Sequence, residues 1–245
     1  MSNARGHASI ADRLSRRRLC GRALAATLVA WAPPLPAQVA PSAAEVAGFA
    51  PLHAAAHVGD VSRLAAALKA DAAAIDSRDA HGRTPLHVAT FARQRAAIRM
   101  LAAAGADLGA LENDRYDAVT IAAVADAEQT LAVLLSLGAS AKLTTSRYDG
   151  TALIAAAHLG HDGVVRQLIQ AGAPLNHVNN LHWTATIEAV VLGDGGPRHQ
   201  ATLRALVDAG ADLALADREG RRPLQLARSR GFDAMVRILE AAPKR

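Results

Sequence analysis

One turn motif recurs six times along this chain of 245 residues, at a nearly constant spacing. The clearest copy is Thr84-Pro85-Leu86-His87, which is followed by alanines, a short break, a leucine-rich stretch and Ala104-Gly105-Ala106. The residues equivalent to its proline are Pro51, Pro85, Ala118, Ala152, Ala185 and Pro223, so the successive steps are 34, 33, 34, 33 and 38 residues. Such a period indicates a tandem array of units that share one local fold.

Each unit is long enough for a tight turn and two helices. The first helical segment is rich in alanine, as at residues 54–56 and 155–157, which permits neighbouring units to approach closely. The second segment carries larger apolar residues at helical spacing, such as Val164 and Leu168. Four of these segments are followed by a glycine that can end a helix in the left-handed conformation: Gly105, Gly138, Gly172 and Gly210. Because one such unit cannot bury its apolar face alone, the units must stack.

On these residues the chain resembles the ankyrin repeat over residues 44–242. The resemblance implies an all-α solenoid of six stacked helix-turn-helix units with short β-hairpin-like connections, at residues 46–242, followed by a tail at 243–245. It also implies that His53 and His87, at the end of the turn motif, hydrogen-bond the backbone of the adjoining turn. The resemblance further implies a non-catalytic protein that binds a protein partner through its hairpin tips and groove.

The first 37 residues are predicted to be an export signal. A basic stretch around Arg16-Arg17-Arg18 leads into a short apolar run at residues 23–32 and then into prolines. Ten apolar residues are too few to span a bilayer. The segment is similar to bacterial twin-arginine signals, but Leu19 and Cys20 depart from that motif, so the general secretory route and a plain basic leader stay open.

We expect cleavage after Ala37, a linker at residues 38–45, and a periplasmic product that has no membrane association after cleavage. Loss of the leader removes Cys20, which is the only cysteine of the sequence. Disulfides, cysteine nucleophiles and zinc-thiolate sites are therefore excluded from the mature protein.

The basic character of the chain also comes from this leader. The sequence has 27 Lys and Arg against 22 Asp and Glu, and six of the basic residues but one of the acidic residues precede residue 38. The rest of the chain therefore carries 21 of each. With three Phe, two Tyr and two Trp there is little aromatic surface on which bases could stack. We expect no nucleic-acid partner, no cofactor, and a monomer.

The fifth unit departs from the regular period. Its step of 38 residues comes from about five additional residues, Asp194 to Arg198, at the turn between its two helices. Such insertions project from one end of a repeat stack and often contribute to binding. Alignment with the fourth unit places His161 beside Asp194, with His199 nearby and His158 one helical turn earlier.

This cluster has several interpretations. Three imidazoles and a carboxylate could bind a metal, although neighbouring units lie too far apart for ligand distances near 2 Å and Arg198 would repel a cation. An anion site, a partner contact, an enzyme accessory site and an inert flexible loop are the alternatives. Ser-His-Asp arrangements, glycine-rich phosphate loops and paired catalytic carboxylates are absent from the sequence, so we expect no enzyme activity.

Glu188 is the second departure, because it is an acid in a first helix where other units carry small or apolar residues. A carboxylate between packed helices is expensive unless it is paired. We therefore expect Glu188 either to face the groove or to have a partner, for which a backbone amide of the neighbouring turn is one candidate.

Aromatic residues mark the hairpins of the third to fifth units: Tyr116, Tyr148 and Trp183. Exposed aromatics of this kind are frequent anchors for protein partners, although each could instead pack against the next hairpin. Arg115 and His182 stand where other units have a hairpin glycine, which predicts a different turn geometry there. The residues predicted to bind a partner are Tyr116, Tyr148, His158, His161, Trp183, Glu188, Asp194, Arg198 and His199.

Overall fold

The computed structural model describes residues 40–243, so the predicted leader at residues 1–37 lies outside it. The described part contains α1 (Ala43–Ala47), α2 (Pro51–Val58), α3 (Val61–Ala70), α4 (Pro85–Phe91), α5 (Arg95–Ala103), α6 (Ala118–Val124), α7 (Glu128–Ser136), α8 (Ala152–Leu159), α9 (Asp162–Gln170), α10 (Ala185–Val191), α11 (Pro197–Asp208), α12 (Pro223–Ser229) and α13 (Asp233–Glu240). A 3-10 helix, Ala72–Asp76, follows α3. After α1 the helices form six successive pairs, which confirms the predicted array of six units.

The recurring turn motif is the start of each first helix. In α4 the Thr84 hydroxyl accepts a hydrogen bond from the His87 N–H, and Pro85 occupies the first helical position, where its missing N–H is not needed. The same side-chain cap precedes α6, α8 and α10, from Asp117, Thr151 and Thr184 respectively. Ser42 caps α1 in the same way, so part of the predicted linker is helical.

The histidines of the motif join neighbouring units, as expected. His53 Nε2 donates to the Arg83 carbonyl at 2.9 Å. His87 Nε2 donates to the Ala110 carbonyl at 3.0 Å, and His87 Nδ1 accepts from the Thr84 N–H. Burial lowers the pKa of His87 to about 4, so the ring is neutral at pH 7.

Each connection between units closes as a short hairpin. The N–H of one residue donates to the carbonyl four positions later, as from Asp79 to Arg83. We number each hairpin by the unit that follows it, and the fourth hairpin is one residue longer because it closes from Thr145 to Gly150. Arg115 and His182 have φ angles of 66° and 63°, close to the 71° of Gly82. The predicted difference in turn geometry is therefore wrong.

Arg115 and His182 adopt the left-handed conformation in turns that are stabilised by hydrogen bonds to the side chain at the start of each hairpin. The Glu112 carboxylate accepts from the backbone N–H groups of Asp114 and Tyr116. The Asn179 side-chain carbonyl accepts from those of Leu181 and Trp183. These bonds offset the steric cost of a left-handed residue other than glycine.

The core lies between successive units. The alanines of the first helices are buried at the contacts between neighbours, and the larger apolar residues of the second helices, such as Val165 and Leu168, are fully buried. One hydrophobic cluster runs through the first five units, and a second joins the fifth unit to the sixth around Ile187 and Leu203. Stability therefore depends on contacts between adjacent units.

Replacement of Leu168 by Ala should lower the free energy of unfolding by about 2–5 kcal/mol, because its side chain is fully buried and leaves a cavity. Leu159, in the same unit, is 40 % exposed, and its change to Ala should cost less than about 1 kcal/mol. Urea denaturation of both variants checks this difference. Equal losses would contradict the burial pattern.

Because the folded pKa of His87 is lowered to about 4, this residue stabilises the protein fully above the ordinary histidine pKa. That contribution, up to about 3 kcal/mol, should be lost as the pH falls from about 6.5 towards 4. Urea denaturation over this range should show a steeper loss of stability for the wild type than for His87→Gln. Parallel curves of stability against pH would mean that another group causes the loss of stability in acid.

Candidate functional site

The nine predicted binding residues lie in three places. The aromatic residues are on the hairpins, His158 and Glu188 are on the first helices of the fourth and fifth units, and the others surround the turns between helices. Backbone and side-chain contacts connect the second group with the third, as described below.

The three aromatic residues do not form a stripe of equivalent exposed rings. Tyr116 and Trp183 occupy the last position of their hairpins, whereas Tyr148 lies within the longer fourth hairpin. All three are half-buried, and burial raises the pKa of Tyr116. Trp183 packs against the cluster around Ile187, which joins the fifth unit to the sixth, and packing of each aromatic against the next hairpin stays an alternative. Their role in partner binding stays a prediction.

Glu188 is 4 % exposed in α10 and has two side-chain partners. The Asn179 amide donates to Glu188 Oε1 at 2.9 Å, and His158 Nδ1 lies 3.2 Å from Glu188 Oε2. The predicted need for a partner is confirmed, whereas the candidate backbone amide is wrong. The carboxylate is satisfied by groups from its own hairpin and from the preceding unit.

Asn179 was missed in the sequence, although comparison of the units gives a signal for it. Aspartate stands at its position in the second and sixth units, where Asp79 and Asp217 pair with Arg83 and Arg221. Because Glu188 lies against this position in the fifth unit, an aspartate there would bring two carboxylates into contact. An asparagine at this position avoids that repulsion and donates a hydrogen bond to Glu188.

The insertion of the fifth unit is not a projecting loop. Pro197 begins α11 directly after Gly196, and the helix has 12 residues where α9 has 9. Arg198 Nη2 donates to Asp126 of the third unit at 2.8 Å, and its Nε lies 3.6 Å from Asp162 of the fourth. The loop prediction is wrong because Pro197 favours a helix start and Arg198 ties the new turn to two preceding units.

His199 and His161 occupy equivalent positions, each seven residues before a buried leucine of the second helix. His161 Nδ1 donates to the Ala123 carbonyl of the third unit, whereas Asp194 pairs with His199 Nδ1 at 2.8 Å. The predicted pairing of His161 with Asp194 is therefore wrong. The reason is that each imidazole reaches back to the unit before its own.

The remaining contact of His199 joins the insertion to α8. Its Nε2 lies 2.9 Å from the His158 carbonyl, so His158 contacts His199 through its backbone and Glu188 through its ring. Within residues 40–243, no group of three or more His, Asp and Glu side chains is arranged to hold a metal ion. None of the helices in that range is long and apolar enough to cross a membrane.

The pairing of Asn179 with Glu188 can be tested with the combinations that the chain itself uses. Asn179→Asp should lower the free energy of unfolding by about 1–3 kcal/mol, because it removes a donor from a buried carboxylate and adds a second charge. The double variant Asn179→Asp, Glu188→Leu should recover at least half of the loss, since the sixth unit combines Asp217 with Leu226. A double-mutant cycle measured by urea denaturation gives the coupling, and a value near zero would contradict the geometry.

Comparisons with known proteins agree with this architecture. The family described as "Ankyrin repeats (3 copies)" matches residues 32–112 and 119–217. The ankyrin repeat protein YahD of Escherichia coli is 32 % identical over 189 residues, which cover 77 % of this chain and 93 % of the relative.

Two solved structures extend the likeness to three dimensions. An ankyrin repeat domain from Acinetobacter baumannii is 43 % identical with a TM-score of 0.73, and the match covers 78 % of this chain and 97 % of that one. The ankyrin repeat protein EF0377 has 29 % identity and a TM-score of 0.73 over 79 % of this chain and 98 % of its own. This chain therefore belongs to the ankyrin repeat family.

Proposed function

We propose that this protein is a non-catalytic scaffold of the periplasm, which binds a protein partner through the hairpins and groove of its third to fifth repeats. Ankyrin repeats serve in general as protein-protein interaction scaffolds and are typically non-catalytic. The observations that carry the choice of surface are three apolar or aromatic side chains of these repeats that are exposed or half-buried. Tyr148 lies on the fourth hairpin, Leu159 ends α8 with 40 % exposure, and Val178 on the fifth hairpin is 42 % exposed.

Polar groups on either side of Tyr148 support the same surface. Salt bridges between Arg115 and Asp149, and between Arg147 and Asp114, join the third hairpin to the fourth at 3.0 and 2.8 Å. The Ser146 N–H also donates to the Arg115 carbonyl at 2.8 Å, so a backbone hydrogen bond joins the same two hairpins before any partner arrives. Preorganised apolar groups with a polar rim are the usual composition of a protein-binding patch.

Binding is tested with partner captured from a periplasmic extract on the immobilised mature protein. Tyr148→Ala or Leu159→Ala should weaken the affinity for the captured partner about thirtyfold if either side chain is an anchor worth about 2 kcal/mol. Arg99→Ala, on the exposed face of α5 in the second repeat, is the matched control and should bind normally. Trp183→Ala is less informative, because Trp183 also packs in the core.

Circular dichroism must first show that each variant is folded. Normal binding by both anchor variants, together with loss of binding on changes at Arg222 of the sixth repeat, would place the surface elsewhere. Capture of the same proteins by all variants would indicate non-specific association.

Export is a separate proposal that rests on the leader. Cell fractionation should find a shortened product in the periplasm, with an N-terminus near Gln38. Replacement of Arg16 and Arg17 by Lys should abolish export if the twin-arginine route is used, whereas the general secretory route should tolerate the retained charge. A full-length product in the cytoplasm would overturn the proposal.

A further inference from the structure

We propose that a proton on His199 fastens the insertion of the fifth repeat to the fourth repeat, so that this junction is a pH-dependent clamp. The clamp consists of the Asp194 carboxylate, the His199 ring and the His158 carbonyl. It is independent of the proposed partner binding.

The ring nitrogens of His199 both face oxygen acceptors. Nδ1 lies 2.8 Å from Asp194 Oδ1, and Nε2 lies 2.9 Å from the His158 carbonyl oxygen. A carboxylate and a carbonyl can only accept, so both nitrogens must donate. A neutral imidazole carries one N–H, and either neutral tautomer would place a lone pair against an oxygen. The two bonds coexist only in the imidazolium form.

The proton cannot be assigned to Asp194 instead. The Gly196 backbone N–H and the His199 ring lower the pKa of the Asp194 carboxyl, and its side chain is 78 % exposed to water. The carboxylate is therefore ionised at neutral pH. The positive charge belongs on the ring.

The ring has little room to escape from this geometry. An added Cβ at Gly160 would lie 2.9–3.0 Å from its atoms, and one at Gly193 would approach to 2.7 Å. The side chain is 12 % exposed, so water has limited access to either nitrogen. Loss of the proton therefore leaves a lone pair opposed to an oxygen, and one of the two hydrogen bonds that tie the insertion to α8 is lost.

The other charged groups around the ring are already paired. Arg198 contacts Asp126 and Asp162, the His158 ring lies on Glu188, and His161 Nδ1 is 3.9 Å from Asp126. Arg230 donates to the Gly193 carbonyl from the sixth repeat. Asp194 is thus the carboxylate that His199 contacts, and its charge balances the proton.

The second repeat contains a counterpart that cannot titrate. Gln94 stands at the position of His199, and its Nε2 donates to the His57 carbonyl at 3.2 Å, next to Gly59. The hydrogen bond to the preceding first helix can therefore be made by a neutral amide. His199→Gln keeps this bond and removes the proton.

Two measurements on the mature protein test the clamp. Nitrogen-15 NMR of the histidine rings should show both ring nitrogens of His199 protonated at neutral pH. The His199→Gln variant identifies the signal. A His199 ring that carries a single N–H at neutral pH would overturn the proposal.

Hydrogen exchange then measures whether loss of this proton makes the insertion open more often. Between pH 5.5 and pH 8, after correction for base catalysis, amide exchange at residues 193–199 should accelerate about tenfold in the wild type and remain constant in His199→Gln. Asp194→Asn should move the acceleration to lower pH, because the balancing charge is gone. Identical profiles for the wild type and His199→Gln would show that the junction does not respond to this proton.

Discussion

The structure depends on one constraint: a pair of short helices cannot bury its own apolar face. Alanines such as Ala56 and Ala123 are fully buried because the first helices of adjacent repeats approach closely at small side chains. The polar groups of the connecting hairpins must then be satisfied across the same junctions. They are, since the Asn180 N–H of the fifth hairpin donates to the Tyr148 carbonyl of the fourth. Packing and hydrogen bonding therefore act between the same neighbours.

The junction between the fourth and fifth repeats meets this constraint with different chemistry. In the second repeat, an aspartate and an arginine pair within the hairpin, and the adjacent first-helix position is Val88. In the fifth repeat, the Asn179 side-chain carbonyl accepts a hydrogen bond from the turn, and the Asn179 amide donates to Glu188. The His158 ring contacts the other oxygen of the Glu188 carboxylate. A buried polar network of this kind is stable only when all of its members are present. All three side chains of the network belong to these two repeats.

The same junction contains the insertion. Through Arg198 the insertion connects the fifth repeat with the fourth and the third. Five additional residues could have formed a mobile loop, but the last two, Pro197 and Arg198, begin α11, and Arg198 lies over Asp162 and Asp126. Salt bridges this exposed are individually weak. Together with the buried ring of His199 they attach the fifth repeat to the surface of the fourth. The most irregular part of the sequence is therefore well ordered.

The sequence alone determined the repeat number, the helix pairs and the left-handed glycines that end the second helices. These features follow from local rules, because caps, turn residues and helical periodicity act within one unit. It also indicated that Glu188 needs a partner, since burial of a charge is costly wherever it occurs.

Only the tertiary structure decided which groups meet across the units. His161 and His199 have equivalent positions in sequence, and both reach back by one repeat, so Asp194 pairs with His199 instead of His161. His158, which pairs with Glu188, and both partners of Arg198 lie in other repeats, up to 72 residues away. An offset between stacked units depends on the packing of whole helices. No local pattern specifies it.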